Sequence, residues 1–471
     1  MKIFLRYIKT TNANMLLFEI SAFTIIYQAF TVLSSELLRR ITAVVEQSQS
    51  SQLDSLVFIA IFVALGMICF DSAQNIVSTQ LNNHLESRIQ ENILLKSYRL
   101  SKTYYDKYDS GTYLNLMISN TRDGVNHGTK MFCEYLSALC MIGFAAIYML
   151  VLNLPIAVCI ILFNILFRLC TRSFDKLIHK NIQKSIPYNE RSNSLLLEIL
   201  SNELVLRLWK KTQFFSERFC KIEKHIEKQS VKNFALRNSY DELMWFTKKI
   251  AEILIIYGFG GRMVSNGIVS ISILLPFVYV GDVFAKGMNQ WLYAKMDEQT
   301  ANAHLVKVTD YLQQSKEEEN KSSLFSQPQR GVDINFDHVS FDYGDMTVLS
   351  DVSFCIPAGS KVLIVGSNGS GKSTLLKLLM GLYQPSQGSI TYGCKTIDEL
   401  GFAGVAEQVC YIPQKPCLLE GTVAENILLN ENINNSKLEQ SLHAVSLQQL
   451  QNSPVHNLSA GEKQRVNIAR A

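Results

Sequence analysis

The 471 residues contain neither clustered cysteines nor a strong excess of charge of one sign. The ten cysteines are scattered without any Cys-x-x-Cys pair, so neither a zinc site nor a disulfide framework is indicated. Charged residues make up only 18% of the chain and the net charge is +4. Nothing in this composition marks a nucleic-acid-binding surface, and we expect no nucleic-acid partner.

Apolar residues are abundant, by contrast. They make up 48% of the sequence, and the mean hydropathy of +0.10 is high for a water-soluble chain of 53.3 kDa. Six apolar runs precede residue 292, at 15–38, 55–70, 131–152, 155–167, 244–264 and 268–291. A membrane-spanning helix needs about 20 residues, so the second and fourth runs have to extend into flanking polar turns. The set predicts an all-α membrane domain with six spans in a lipid bilayer.

Basic residues on the connections between the runs indicate the orientation. Three precede the first run, and others follow the second and fourth, whereas the connections 153–154 and 265–267 carry none. Arg39 and Arg40 are exceptions to this pattern. The positive-inside rule therefore predicts that both ends of the chain are cytoplasmic.

The long stretches 79–130 and 172–243 then lie in the cytoplasm. Both contain long segments without Pro or Gly and have helical apolar spacing, so we interpret them as extensions of the membrane helices. The stretch 313–330 is polar, charged and without periodicity, which is typical of a linker. The sequence thus predicts a membrane domain at 1–312 and a second domain at 331–471.

The second domain contains a phosphate-binding motif. The alternating run "VDINFDHVSF" and the β-branched run "KVLIV" predict strands. Directly after "KVLIV" comes "GSNGSGKST", residues 366–374, and a helix-like run follows it. This is G-x-x-x-x-G-K-S in the strand, loop and helix context that the motif requires. Backbone N–H groups surround the phosphates, Lys372 reaches the β- and γ-phosphates, and Ser373 can bind Mg²⁺. The motif predicts an α/β P-loop domain that binds ATP or GTP.

Four charged residues fall inside the apolar runs: Glu19, Glu252, Asp282 and Lys286. A charge at the bilayer centre costs roughly 2.5 to 3.5 kcal/mol on insertion scales, so these side chains are expected to face a cavity or a partner and not lipid. Asp282 and Lys286 are four residues apart on one helical face, which also fits a mutual ion pair. We assign none of the four as a substrate ligand.

With these motifs the chain resembles the ABC transporter family, specifically the exporter type that fuses a membrane domain to an ATP-binding domain. The stretch "YYDKYDSGTYLNLMISNTRDGV" in the first cytoplasmic extension is similar to the family's aromatic-x-x-x-x-S/T-G stretch. In the second extension "EILSNELVLRLWKKTQFFSERF" resembles the segment that carries the other coupling helix. The resemblance covers nearly the whole chain.

The resemblance also implies roles for residues of the ATP-binding domain. Tyr343 matches the aromatic residue that stacks on adenine, and Gln414 in "YIPQKP" matches the glutamine that contacts Mg²⁺ and the attacking water. "LSAGEKQR" resembles the signature LSGGQ, with Ala460 and Glu462 as departures, and its phosphate belongs to ATP on a partner domain. The implied ATP ligands are Tyr343, Gly366, Ser367, Asn368, Gly369, Ser370, Gly371, Lys372, Ser373, Thr374, Ser459 and Gly461. The implied Mg²⁺ ligands are Ser373 and Gln414, and the implied catalytic residues are Lys372 and Gln414.

The implied function is ATP-driven export of an unidentified substrate across the cell membrane by two half-transporters, with the ATP-binding domain in the cytoplasm. In the family, a strand ending Asp-Glu (Walker B) and a switch histidine follow the signature helix, and neither occurs in these 471 residues. The domain is therefore expected to be incomplete and to expose apolar surface. The alternative function is a truncated or non-hydrolysing partner subunit that binds nucleotide without transport.

Overall fold

A computed structural model describes residues 1–46, 53–99, 102, 110–267, 270–313, 331–344, 346–429 and 435–471. The chain divides into two compact units. One comprises 1–98 and 108–315, and the other comprises 99–107 and 316–471. The predicted linker lies outside the described residues except for Gln313, which follows the last helix of the first unit.

The described part of the first unit is helical. Its α-helices are α1 (Lys2–Thr10), α2 (Asn14–Glu46), α3 (Leu53–Arg99), α4 (Ser110–Leu114), α5 (Thr121–Leu152), α6 (Leu154–Ser201), α7 (Glu203–Leu208), α8 (Thr212–Ala251), α9 (Gly261–Ser265) and α10 (Ile271–Leu312). Two π-helical segments, Asn115–Asn120 and Glu252–Gly260, join α4 to α5 and α8 to α9. Helix α6 begins at Leu154, and its N-cap residue Asn153 accepts a hydrogen bond from the Ile156 N–H through its side chain.

The lengths of these helices agree with a membrane region. Among the described residues, three helical stretches are long and apolar enough to cross a membrane: Asn14–Glu46, Leu53–Tyr98 and Gly111–Leu152. Leu154–Leu169 is a shorter apolar stretch. The fifth predicted run, 244–264, lies across α8, its π-helical segment and α9, and the sixth run lies in α10 from Ile271 onward. The number of six spans stays a prediction.

Polar side chains connect the apolar helices of the first unit. The Gln28 amide on α2 donates to the Ser137 hydroxyl on α5 at 2.8 Å, and Ser137 donates to Gln290 on α10 at 3.1 Å. Gln28 is only 3% exposed, so this chain of hydrogen bonds fixes how the three helices lie against one another.

The second unit contains a small antiparallel sheet with helices. The strands are β1 (Ile334–Tyr343), β2 (Met346–Ile356), β3 (Gln387–Tyr392) and β4 (Lys395–Thr396), in the order β2-β1-β3-β4. The helices are α11 (Lys372–Leu379), α12 (Ile397–Ala406), α13 (Val423–Leu428), α14 (Asn435–Ala444) and α15 (Ala460–Arg470). Short 3₁₀ turns lie at Gln448–Leu450 and Val455–Asn457.

Two hydrophobic clusters stabilise this unit. The first, which we call the sheet core, joins the sheet to α11 and α12 and includes Phe336, Val339 and Leu378. The second, the signature core, joins α13, α14 and α15 and includes Val423 and Val466. The P-loop helix and the signature helix therefore pack into different cores.

The prediction of a buried strand at "KVLIV" was wrong. Residues 361–365 form no strand, and Leu363 and Val365 are 85% and 77% exposed. The four described strands pair only with one another, so no strand in the described part of the chain pairs with this run. A β-branched sequence does not form a strand without a neighbouring strand and a covering layer. The exposed run does agree with the expectation of exposed apolar surface in this domain.

Candidate functional site: a P-loop and a signature helix

The predicted phosphate loop ends at an uncapped helix N-terminus. Helix α11 begins at Lys372, and its N-cap residue Gly371 has a left-handed φ of 87° and no side chain to bond the first turn. Gly369 is also left-handed, with φ of 84°. Only glycine adopts such a backbone at little cost, which explains both glycines of the motif. The first N–H groups of α11 are thereby left available for an anion.

The lysine of the motif folds back over its own loop. Lys372 Nζ donates to the carbonyl oxygens of Gly366 at 2.9 Å and Ser367 at 2.7 Å. A side chain at Gly366 would come within 2.7 Å of Ser370 Oγ, so the loop is closely wound. The structure thus brings the predicted residues of this loop together, with the ammonium group beside the space that phosphates require.

The hydroxyl groups of the motif have different surroundings. Ser373 is exposed at the second position of α11, whereas Thr374, the next residue, is buried, with 7% exposed. The Ser373 hydroxyl is therefore free to meet a ligand from solvent. Leu375 and Leu378 of the same helix are buried in the sheet core and fix the position of the loop.

Tyr343 lies at the end of β1 and touches the P-loop helix. Its ring packs edge-on against Phe341 and Tyr383, with centroid separations of 4.8 and 5.4 Å. The ammonium group of Lys377, on α11, is 5.8 Å from the ring centroid. Tyr343 is 39% exposed, so its ring keeps a free surface for stacking on a flat base.

Gln414 is exposed in the irregular stretch between α12 and α13. Its neighbours Tyr411 and Ile412 are also exposed, at 55% and 44%. The structure therefore places this residue on a loop whose conformation no described strand fixes. Its predicted contact with Mg²⁺ stays a prediction.

The signature helix, in contrast, is capped by its own residues. The Ser459 hydroxyl and N–H both bond Glu462 Oε2, at 2.7 and 2.8 Å, and the Glu462 N–H donates to Ser459 Oγ at 3.3 Å. This is a capping box. The hydrogen bonds from Ser459 hold the pKa of the Glu462 carboxyl below its usual value. Gly461 lies in the first turn, and no atom lies within 4 Å of the position a Cβ would take.

The same Ser/Thr-x-x-Glu device occurs at two other helices of the unit. Thr396 and Glu399 cap α12, and Thr422 and Glu425 cap α13. The departure from glutamine to Glu462 therefore has a local physical explanation, because either residue can serve as the N3 member of a capping box. The spacing was visible in the sequence.

A residue that the motif reasoning did not single out anchors the signature helix. Arg470, in its last turn, donates to the carbonyl oxygens of Asn426 and Cys417 at 2.7 Å each, and to Asn426 Oδ1 at 2.8 Å. Asn426 is 1% exposed and also bonds the Leu419 backbone in both directions, at 2.8 and 2.9 Å. Arg470 thus ties α15 to α13 and to the segment after Gln414. No sequence spacing signals this contact.

The residues present fit a nucleotide better than a protein-bound metal cluster. Among the described residues no group of three or more His, Cys, Asp or Glu side chains could hold a metal ion. The donors near the P-loop are instead backbone N–H groups, one ammonium group and hydroxyls. Such a set suits phosphate oxygens, with a hard cation bound through hydroxyl and phosphate oxygen.

Comparison with known proteins agrees with this site. The family model described as "ABC transporter transmembrane region" matches residues 17–280, and the model described as "ABC transporter" matches residues 349–471. The second match includes the P-loop, Gln414 and the signature helix. The match to the transmembrane-region model covers more than half of the chain.

Three relatives illustrate the similarity. The transport/processing ATP-binding protein ComA of Streptococcus pneumoniae is 29% identical over 299 residues, 59% of this chain and 41% of the relative. The lactococcin-G-processing and transport ATP-binding protein LagD of Lactococcus lactis is 32% identical over 52% of this chain and 37% of its own length. The sublancin-168-processing and transport ATP-binding protein SunT of Bacillus subtilis is 24% identical over 91% and 62%, respectively. The chain spans about half the length of these relatives.

These matches confirm the resemblance seen in the motifs. A region of apolar helices is followed by an ATP-binding region, as in the exporters that fuse both parts in one chain, and the protein is a multi-pass membrane protein. The chain belongs to the ABC transporter family.

Proposed function

We propose that this protein exports a substrate across the cell membrane as one of two half-transporters, driven by ATP binding and hydrolysis. The observation that carries the proposal is the uncapped N-terminus of α11 beside Lys372, in a chain that also contains apolar helices of membrane length. Residues 366–374 bind the phosphates and Tyr343 stacks on the adenine. Ser373 and Gln414 would hold Mg²⁺, which would supply positive charge beside the phosphates.

A second chain completes each ATP site. The signature helix α15 packs into a different core from α11, and its Ser459 and Gly461 lie at an exposed N-terminus. One chain supplies one P-loop and one signature helix, so two chains meeting head to tail would form two composite sites. The partner is the same chain or a similar half-transporter, with the ATP-binding regions in the cytoplasm.

Closure of the two ATP-binding regions would turn the membrane helices from an inward-open to an outward-open arrangement, and hydrolysis would reset them. Helix α7 is suited to receive this movement. It joins two long helices, and its residues Leu204 and Leu208, with the adjoining Trp209, are each more than 60% exposed. An exposed apolar turn of this kind favours contact with another surface.

The cargo we propose is a peptide. This rests on the similarity to relatives named for the transport and processing of lactococcin and sublancin-168. The alternative is a partner subunit that binds nucleotide without transport. It is favoured by the exposed run 361–365, which no strand of the described sheet covers.

The test is to measure ATP binding and turnover by the full chain in lipid nanodiscs. We expect ATP binding that weakens about 100-fold in Lys372→Ala, because the phosphate loses its ammonium partner. Lys437→Ala, on α14, is the matched control and should bind normally. Turnover abolished by Lys372→Ala supports the exporter. Binding without turnover supports the alternative, and no ATP binding at all contradicts both.

A further inference from the structure

Five charged side chains form one continuous ion-pair chain in the apolar part of the first unit. Glu252 accepts from two lysines, with Lys249 Nζ at 2.7 Å and Lys248 Nζ at 3.5 Å. Lys248 also pairs with Asp282. The other oxygen of Asp282 lies 3.0 Å from Lys286 Nζ. The Lys248–Asp282 pair joins α8 to α10. The expected pairing of Asp282 with Lys286 is confirmed, as part of this larger chain.

The signs alternate, so both ends of the chain are cationic. The three inner side chains are shielded, with exposures of 9% for Glu252, 21% for Lys248 and 27% for Asp282. The two end side chains are not, with exposures of 43% for Lys249 and 67% for Lys286. Three ammonium groups face two carboxylates, which leaves an excess positive charge at the exposed ends.

One aromatic hydroxyl lies on the same helix as Lys286. Tyr279 lies one turn before Asp282, and its hydroxyl accepts a hydrogen bond from the Ser34 hydroxyl of α2 at 3.2 Å. Asp71 is not within ion-pair distance of Lys286 in the described structure. The exposed ammonium group of Lys286 is a charged donor that suits a carboxylate.

The ion-pair chain lies within two of the apolar runs. Asp282 is 11 residues beyond the start of α10 at Ile271, about 16 Å along the helix, and its partner Lys248 is four residues, about 6 Å, inside the run 244–264. Lys286 bonds the carboxylate one turn nearer the start of α10, so its ammonium group lies at the depth of Asp282. Lys286 therefore lies inside the apolar region through which a peptide cargo would pass, and a lipid headgroup is the competing partner that the test has to distinguish.

We propose that Lys286 is an anion-binding residue of the export pathway, with Asp282 and Lys248 as its positioning residues, and that it takes a carboxylate of the exported peptide. This inference rests on the proposed export function and adds the chemical class of the cargo. The ion-pair chain keeps the inner charges paired inside the apolar region. Its exposed end is then free to exchange partners when a carboxylate arrives.

The test uses two fluorescein-labelled decapeptides, one with five Glu residues and the other with Gln in their place. Anisotropy titrations are made with the full chain in phosphatidylcholine nanodiscs. We expect the Glu peptide to bind at least about tenfold more tightly, a difference of about 1.4 kcal/mol. Lys286→Gln should abolish this preference and Lys286→Arg should keep it. Lys249→Gln removes the same charge from the other end and should also keep it.

Equal affinity for the two peptides, no binding of either, or a preference that survives in Lys286→Gln would overturn the proposal. A preference lost when anionic phosphatidylglycerol is added would assign Lys286 to a lipid headgroup instead. ATP affinity is measured on every variant, since the P-loop needs none of these lysines. Loss of ATP binding in the unmodified chain would contradict the proposed function itself, whereas normal ATP binding with no peptide preference contradicts only this inference.

Discussion

The ATP-binding region contains two helix N-termini with predicted phosphate contacts, and they differ in how their first turns are satisfied. At α11 the N-cap is Gly371, which has no side chain and offers the helix no hydrogen bond. At α15 the N-cap is Ser459, which forms a capping box with Glu462. The first N-terminus is thus ready for an anion, whereas the second is stable without one.

Because of this difference, we expect the two N-termini to contribute differently to nucleotide affinity. An uncapped N-terminus gains the most from a phosphate, because its free N–H groups and its dipole both meet the charge. A capped N-terminus keeps its shape without a ligand, and the carboxylate of Glu462 would add a negative charge near the phosphate that the family resemblance predicts there. We therefore expect α11 to carry most of the nucleotide affinity and α15 to contribute only once two chains meet.

The substitution with the largest expected effect on the contrast between the two N-termini is Gly371→Ala. The left-handed φ of 87° is strained for alanine, and its Cβ would lie 2.8 Å from Leu349 Cδ2 and 3.3 Å from the Val348 oxygen. We expect a loss of about 1 to 3 kcal/mol in unfolding free energy and weaker ATP binding. The measurement is thermal unfolding in nanodiscs with a parallel ATP titration.

The matched variant at the other helix is Gly461→Ala. The site is open and helical, so we expect stability to be unchanged or to rise by up to about 1 kcal/mol. If the two glycine variants were equally destabilised, the contrast between the two N-termini would not hold.

The next effect concerns the anchor of the signature helix. Arg470→Ala removes three hydrogen bonds. The carbonyl oxygen of Asn426, a residue that is 1% exposed, loses its Arg470 donor, and its amide oxygen keeps only the Leu419 N–H. We expect a loss of about 2 to 3 kcal/mol and faster hydrogen exchange across α13 and α15. Arg465→Ala, on the exposed face of α15, is the control and should change neither quantity by more than about 0.5 kcal/mol. Equal effects of the two variants would rule out the anchor.

The smallest effect is expected from Glu462→Gln, which keeps a capping side chain and removes its charge. Because the pKa of Glu462 is lowered in the folded state, its stabilisation of α15 is present above the unfolded pKa of about 4.3 and is lost as the pH falls through the folded pKa. In Glu462→Gln this pH dependence should disappear. Hydrogen exchange of the segment 459–470 at pH 7 and pH 4, corrected for intrinsic rates, measures it.

At pH 7 the backbone amides of α15 should be protected from hydrogen exchange to a similar degree in Glu462→Gln and in the unmodified chain. A variant whose protection still fell between pH 7 and pH 4 as in the unmodified chain would show that another group titrates there. Glu425→Gln on α13 is the matched control, since it removes an identical capping carboxylate from a helix outside the signature.

Local features of both regions were predictable from the sequence because they depend on neighbouring residues. The P-loop glycines, the Lys372 position and the Ser459 spacing each follow from backbone geometry over a few residues. The prediction of a strand at "KVLIV" was wrong, because whether a β-branched run forms a strand depends on partners far away in the chain. The anchoring contact of Arg470 was not predicted for the same reason, since Arg470 and Asn426 are 44 residues apart.

The sequence by itself determined the division into an apolar helical part and an ATP-binding part, together with the identity of the phosphate loop, because composition, periodicity and turn chemistry are properties of short segments. Only the tertiary structure decided which charges meet in the apolar region. Asp282 and Lys286 were visible as a pair on one helix, whereas Lys248 joined them from α8, 34 residues away. Such contacts depend on how helices pack against one another, and no local pattern encodes that packing.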